Sequence, residues 1–329
     1  MHPFSYAAVA DEQAAIEGAV AGGRYVAGGT TLIDLMREEV ERPERLIDIN
    51  SLPLRAIRQQ DDALVIGSLA RMSDVAVHPA VRQTQPLIAE ALIEGASPQI
   101  RNMASIGGNL LQRVRCPYFR TLDAPCNKRS PGSGCSAIDG INTSQAILGT
   151  SAHCVATHPS DLAVALVALD ATVTLRGPGG ERRMRVEDLY RLPGETPHLE
   201  HTLERGELIV EVRVPHGRYA RRARYLKVRD RASYEFAVVS VAAALDVSGG
   251  TIRAARLAAG GVGTRPWRFG AAEDALVGQL PGQTAWAAAA GLAITGARPL
   301  AGNHFKVELL RRTMIRALVM AAGDSEDGA

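Results

Sequence analysis

The residues able to do chemistry in this 329-residue chain are unevenly spread: all four cysteines, Cys116, Cys126, Cys135 and Cys154, fall within one 39-residue window. The surrounding insert, about 112–157, is rich in Pro, Gly and Ser and has little apolar periodicity, so burial alone cannot order it. Convergent sulfurs can. The cysteines are separated by nine, eight and eighteen residues, which matches neither the C-x-x-C pairs of a zinc ribbon nor a ferredoxin-type run. Residue chemistry leaves three arrangements open: a disulfide pair, a four-cysteine zinc site and a four-cysteine iron-sulfur cluster. The bland alternative is four unrelated thiols, each a small buried hydrophobe. Their confinement to a polar insert argues against it.

Two double glycines supply a second kind of chemistry. Gly28-Gly29-Thr30-Thr31 stands between a strand-like and a helix-like run, where glycine lets backbone approach a ligand and helix N-terminal N–H groups face an anion. Ser105-Ile106-Gly107-Gly108-Asn109 adds a hydroxyl and an amide to another backbone nest. The first loop alone reads more readily as a simple tight turn. Two nests in one domain point to a long ligand such as an adenine dinucleotide. The G-x-G-x-x-G fingerprint and the G-K-[ST] of a Walker loop are absent from both.

The elements that must position these residues follow from pattern. Residues 11–21 form a helix with an acidic start, residues 24–27 a short strand, and the run from Thr30 a helix with Thr30 or Thr31 as cap. Strands are expected at 45–49, 63–66, 171–175, 181–186 and 208–214, and helices near 73, at 87–92 and from Ser160-Asp161. Beyond Pro215–Gly217, runs at 224–228, 238–247 and 252–259 suggest a three-stranded antiparallel sheet with a hairpin at Ser248-Gly249-Gly250, followed by helices at 271–277, 284–290 and 303–321. The length favours two domains, and aromatics at only 4% suit a tightly packed α/β or α+β enzyme domain. A net charge of +2 gives no sign of nucleic-acid binding, and the Arg-rich stretch from Arg218 to Arg231 reads as a solvated strand or interface surface rather than a phosphate-binding tract. The acidic end, from Ala321, reads as a frayed tail. No signal peptide or membrane span is expected.

The runs A-G-G-T-T-L-I-D at 27–34, I-R-N-M-A-S-I-G-G-N-L at 100–110, H-P-S-D-L-A-V-A-L-V-A-L-D-A at 158–171 and E-L-I-V-E-V-R-V-P at 207–215 resemble the FAD-binding medium subunit of the xanthine dehydrogenase and molybdenum hydroxylase family. The cysteine insert, with C-P-Y-F-R and P-C-N-K-R-S-P-G-S-G-C, resembles the subset carrying an extra [4Fe-4S] cluster, notably the flavoprotein subunit of bacterial periplasmic-type aldehyde oxidoreductases. The resemblance implies an α+β fold: a two-subdomain FAD-binding domain of the PCMH or CO dehydrogenase flavoprotein type at 1–217, split near 55, then a small C-terminal domain at 218–329 with a three-stranded sheet packed by helices.

It further implies that Val26, Ala27, Gly28, Gly29, Thr30, Thr31, Leu32 and Ile33 line the FAD diphosphate and ribityl chain, with Ser105, Gly107, Gly108, Asn109, Leu111 and Gln112 around the cofactor. Asp161 would accept from a sugar hydroxyl, its ordinary alternative being an N-cap. Ile209 and Lys227 would approach the flavin ring, Lys227 otherwise being a surface lysine. The four cysteines would ligate the cluster, with Arg113, Arg115, Lys128 and Arg129 offsetting its charge. The implied partners are a large molybdenum-cofactor subunit and a small [2Fe-2S] subunit in a heterotrimer, with this chain transferring electrons and doing no substrate chemistry. Its compartment would be the periplasm, reached with a signal-bearing partner, or the cytoplasm. Competing readings are a xanthine dehydrogenase-type flavoprotein subunit, a stand-alone FAD oxidoreductase with a four-cysteine zinc site, and a non-redox nucleotide-binding module with structural zinc.

Overall fold

The computed structural model describes residues 1–217, 219 and 222–323; Arg218, Ala220 and Arg221 of the Arg-rich stretch and Asp324–Ala329 of the acidic tail lie outside them. Three sheets organise the α+β chain. The first is parallel, in the order β1(Ser5–Ala8), β3(Arg45–Asp48), β2(Arg24–Val26). Between its strands run α1(Glu12–Val20) and α2(Leu32–Arg37). Asp11 starts α1 because its Oδ1 accepts from the Ala14 N–H at 2.8 Å, and Ala15, Ile16 and Ala19 bury one face. No hydroxyl caps α2: Thr31 holds the cap position, but its side chain makes no capping bond, contrary to expectation.

The second sheet is antiparallel, ordered β4(Ile57–Gln59), β5(Ala63–Gly67), β8(Leu208–Pro215), β6(Thr172–Gly177), β7(Gly180–Arg185). All five residues of β5 are buried, as expected of an apolar run with a strand on either side. The connection from β5 to β6 carries α3(Met72–Val77), α4(Pro79–Thr84), α5(Pro86–Glu94), α6(Pro98–Arg101), α7(Ile106–Leu110), α8(Pro117–Arg120) and α9(Asp161–Ala168). Every residue of α9 is buried, because the helix is clasped between α5 and the next sheet. Ser160, rather than Asp161, caps it, with Oγ accepting from the Ala163 N–H at 3.0 Å.

The third sheet has four strands, β12(Trp267–Arg268), β11(Thr251–Gly260), β10(Val239–Ser248), β9(Ala223–Val228), where three were expected. The extra strand is only two residues long, too short for an alternating pattern to register. Gly249 and Gly250 turn the β10–β11 hairpin at φ of 60° and 74°, which glycine adopts without a Cβ penalty. The helices α10(Gly270–Leu276), α11(Gln283–Ala293) and α12(Phe305–Ala322) cover one face, burying Trp286, Leu310, Met314 and Leu318. Among the described residues no helix is long and apolar enough to cross a membrane.

The exit of the insert is fixed by His158. Its N–H donates to the Gly263 carbonyl at 3.0 Å, its Nδ1 accepts from the Ser160 N–H at 3.3 Å, and its ring meets Tyr190 edge-on, with centroids 4.5 Å apart. Burial, with help from His201, pulls the His158 pKa down from 6.5 to about 3. The neutral ring is therefore favoured in the fold, and its stabilising share is full above pH 6.5 and lost as pH falls towards 3. Urea denaturation at pH 7 and pH 5 should register a loss on the order of 1–2 kcal/mol from this residue. His158→Phe should flatten that difference, and an unchanged pH slope in the variant would contradict the assignment.

Candidate functional site

The first glycine loop joins β2 to α2. A Cβ on Gly28 would stand 1.9 Å from the Met103 carbonyl oxygen, so only glycine lets this loop close on the segment leading to the second one. Gly29 has a φ of 71°, and its carbonyl accepts from the Ile33 N–H at 3.0 Å, turning the chain into α2. The second loop begins at Ser105, whose Oγ caps α7 by accepting from the Gly108 N–H at 3.2 Å. The Gly107 N–H donates to the Ser68 carbonyl at 2.8 Å, and a Cβ on Gly107 would crowd Ser68 at 3.1 Å. Glycine again brings two backbones together.

Between the two loops lies a cleft of about 620 Å³. Val26, Ala27, Gly28, Gly29, Thr30, Thr31 and Leu32 line one side, and Ser105, Gly107, Gly108, Leu111 and Ile209 another. The loop His198–Leu208 closes it, with Arg24, Glu41, Ser68 and Arg113 also on its walls. The volume suits an extended cofactor. The uncapped first turn of α2 offers N–H groups to an anion, and the Ser68 hydroxyl is buried with no hydrogen-bond partner. An orphaned hydroxyl on the wall of a roomy cleft fits a polar ligand. Nothing in the sequence marks Ser68, which belongs to no motif.

Five expected residues are not on this wall. Ile33 packs behind it against Val26, Met36 and Leu46. Asn109 accepts from the Ser160 hydroxyl at 2.6 Å and donates to Met72 Sδ at 3.4 Å, while Gln112 donates to the Asn109 carbonyl at 3.0 Å. Asp161 and Lys227 pair with each other at 2.8 Å, and Asp161 also accepts from the Tyr225 hydroxyl at 2.7 Å. Lys227 is no surface lysine: its side chain is 1% exposed and also donates to the Glu94 carbonyl at 3.0 Å. Burial pushes the Asp161 carboxyl up, against the pull of Lys227 and Tyr225.

The cysteines, by contrast, are brought together. Cys116 precedes α8, Cys126 and Cys135 face each other across a bridge, and Cys154 sits in a turn where its N–H donates to Ser151 Oγ at 3.2 Å. All four line one small pocket with Val114, Phe119, Ala137 and Lys128, so they are not unrelated thiols. All four are free, which overturns the disulfide reading. Among the described residues, no three His, Cys, Asp or Glu side chains approach closely enough to hold a single metal ion. A tetrahedral zinc with bonds of about 2.3 Å would need sulfurs roughly 3.8 Å apart. Burial pushes the Cys116 thiol up and Cys154 to about 11, so thiolates form there where a bound cation compensates.

The flanking cations are mostly committed elsewhere. Arg115 and Arg120 share Asp34, at 3.0 and 2.6 Å. Arg129 donates to the Tyr118, Phe119, Leu122 and Ala124 carbonyls. Lys128 alone of the four expected cations lines the thiol pocket, and it also pairs with Glu200 at 3.5 Å.

A family profile described as the FAD binding domain in molybdopterin dehydrogenase matches residues 2–217, and one described as the CO dehydrogenase flavoprotein C-terminal domain matches 224–323. The chain is 47% identical, over 92% of both sequences, to the aldehyde oxidoreductase FAD-binding subunit PaoB of Escherichia coli strain K12. It is 28% identical to the carbon monoxide dehydrogenase medium chain of Hydrogenophaga pseudoflava, over 90% of this chain and 88% of that one. The solved carbon monoxide dehydrogenase from that organism superposes with a TM-score of 0.77, covering 98% of each chain at 27% identity. The cleft between two glycine loops thus belongs to a known architecture, and the chain is a member of the molybdopterin dehydrogenase FAD-binding family with a CO dehydrogenase flavoprotein C-terminal domain.

Proposed function

We propose that this chain is the FAD-binding, electron-transferring subunit of a molybdenum-dependent aldehyde oxidoreductase, and that its four cysteines hold a [4Fe-4S] cluster. The observation that carries the substrate class is the 47% identity to an aldehyde oxidoreductase FAD-binding subunit across nearly the whole chain. The cluster reading is supported by four free thiols that line one pocket. The heterotrimer of the reading adds a large molybdenum-cofactor subunit, where the aldehyde is oxidised, and a small [2Fe-2S] subunit.

In this reading the Gly28-Gly29 loop and the N–H groups opening α2 bind the diphosphate, and the loop Ser105–Gly108 holds the other side of the cofactor. Ser68 donates its otherwise unused hydroxyl. Ile209 and Leu111 exclude water along the cleft. Asn109, Gln112, Asp161 and Lys227 act from behind the wall: the Ser160–Asn109 bond ties the second glycine loop to α9, and Lys227 fixes Asp161 at the helix start. Bound FAD supplies exchange between single electrons and electron pairs. A [4Fe-4S] cluster supplies a one-electron store whose potential follows burial and hydrogen bonds to sulfur.

Gly28→Ala in the assembled complex should cut acid-extractable flavin at least about tenfold while iron stays near the wild-type level, because the added methyl collides with the Met103 backbone carbonyl and not with the thiols. Full flavin occupancy in this variant would remove the loop from the binding site. The substrate class has its own check: anaerobic addition of an aromatic or aliphatic aldehyde to the complex should bleach the flavin absorbance within minutes. Bleaching by xanthine, with aldehydes inert, would transfer the assignment to the xanthine dehydrogenase type.

A further inference from the structure

The second half of the insert is stitched to the C-terminal domain. The Ile147 and Leu148 N–H groups donate to the Val262 carbonyl at 2.8 and 3.0 Å, and the Gly302 N–H donates to Asn142 Oδ1 at 2.8 Å. The centre of this seam is Gln145, whose carbonyl accepts from Asn303 Nδ2 at 3.1 Å and from Lys306 Nζ at 3.0 Å. Lys306 is fully buried, and burial rather than any carboxylate among the described residues governs its charge. Its ammonium instead donates to three backbone carbonyls, those of Ser144 and Gly261 at 3.0 and 2.8 Å being the other two. An ammonium buried this way is costly. It is held where it fixes one backbone segment from the start of α12.

What that segment carries is a donor. Gln145 is 1% exposed, and its Nε2 lies 3.5 Å from Cys116 Sγ. An amide N–H aimed at a ligating sulfur stabilises the more negative state of the centre and so favours its reduction. We propose that Gln145 raises the reduction potential of the four-cysteine centre through its hydrogen bond to Cys116, and that Asn303 and Lys306 are positioning residues by which the C-terminal domain aims that donor. The proposal rests on the [4Fe-4S] reading above. The step concerned is the gain of one electron by the oxidised cluster, with no protein bond made or broken.

The test is an EPR-monitored redox titration of the purified complex, with dithionite as reductant, comparing wild type with Gln145→Met and Lys306→Met. Gln145→Met keeps chain length and removes the donor. It should retain full iron and flavin and shift the cluster's one-electron equilibrium about tenfold towards the oxidised form, a midpoint about 59 mV lower. The flavin midpoint should stay where it is. Lys306→Met should move the cluster in the same direction by less, and if it does not fold, Gln145→Met decides alone. A wild-type midpoint in fully loaded Gln145→Met overturns the proposal. So does iron loss with an unshifted midpoint in the loaded fraction, which would make Gln145 a brace only. Wild-type complex without a four-iron cluster sinks the underlying reading as well, and metal analysis of wild type alone identifies that case.

Discussion

One guanidinium ties the two candidate sites into a single piece of structure. Arg113 leaves the second glycine loop two residues after Leu111, bonds Glu41 from the first subdomain, and bonds Glu200 from the closing loop at 2.6 Å. It also lies over the Phe119 ring at 4.7 Å, and Phe119 lines the thiol pocket. Glu200 in turn meets Lys128, and Glu41 also meets Arg24 at 3.7 Å, so two acids and three cations form one chain that is largely shielded from solvent apart from Arg24. Burial works against the charged form of Arg113, yet Glu200 and Glu41 outweigh it and hold its pKa above the usual range; Lys128 and Arg113 likewise hold the buried Glu200 carboxyl below its own. Such a network is worth little over a well-packed apolar substitute, but loss of one member strands the others, at a cost of roughly 3–5 kcal/mol. Its value lies in fixing register among the three segments that supply it.

The geometry that follows is a shared wall. Leu35, from α2, lines the cleft and packs against Cys126 and Cys154. Arg113 lines the cleft and stacks on a wall residue of the thiol pocket. The insert is therefore built into the cofactor domain at one end and, through Val262, Asn303 and Lys306, into the C-terminal domain at the other. A polar loop without a core of its own becomes rigid by borrowing two.

What could be read from the sequence follows the range of the interactions concerned. Local signals held: the acidic start of α1, Ser160 as one of two candidate caps, the glycines of the β10–β11 hairpin and the apolar run of α9; the two glycine loops were legible as motifs, although their need for glycine comes from Met103 and Ser68, far away in the chain. The four cysteines were legible as a set because composition alone isolates them. Partnerships were not. Lys227 reads as one more cation in an Arg-rich stretch, and its burial depends on Asp161, 66 residues earlier. Arg113 reads as a cation beside the cysteines, yet it serves carboxylates 72 and 87 residues away. Ser68 and Gln145 carry no motif, and their roles exist only in the folded contacts. The strands β1, β4 and β12 were missed because they are short and contain no buried residue, so they carry no apolar pattern, whereas the equally short β2 and β3 do.

The account turns on the claim that two redox groups share this wall. The most direct measurement is flavin, iron and zinc quantified on one anaerobically purified sample of the complex, after subtracting the [2Fe-2S] content of its small subunit, with a visible spectrum of the same sample. The account predicts flavin bands over a broad iron-sulfur absorbance and about four further irons per FAD. Stoichiometric zinc, or flavin with no iron beyond that of the small subunit, would contradict it.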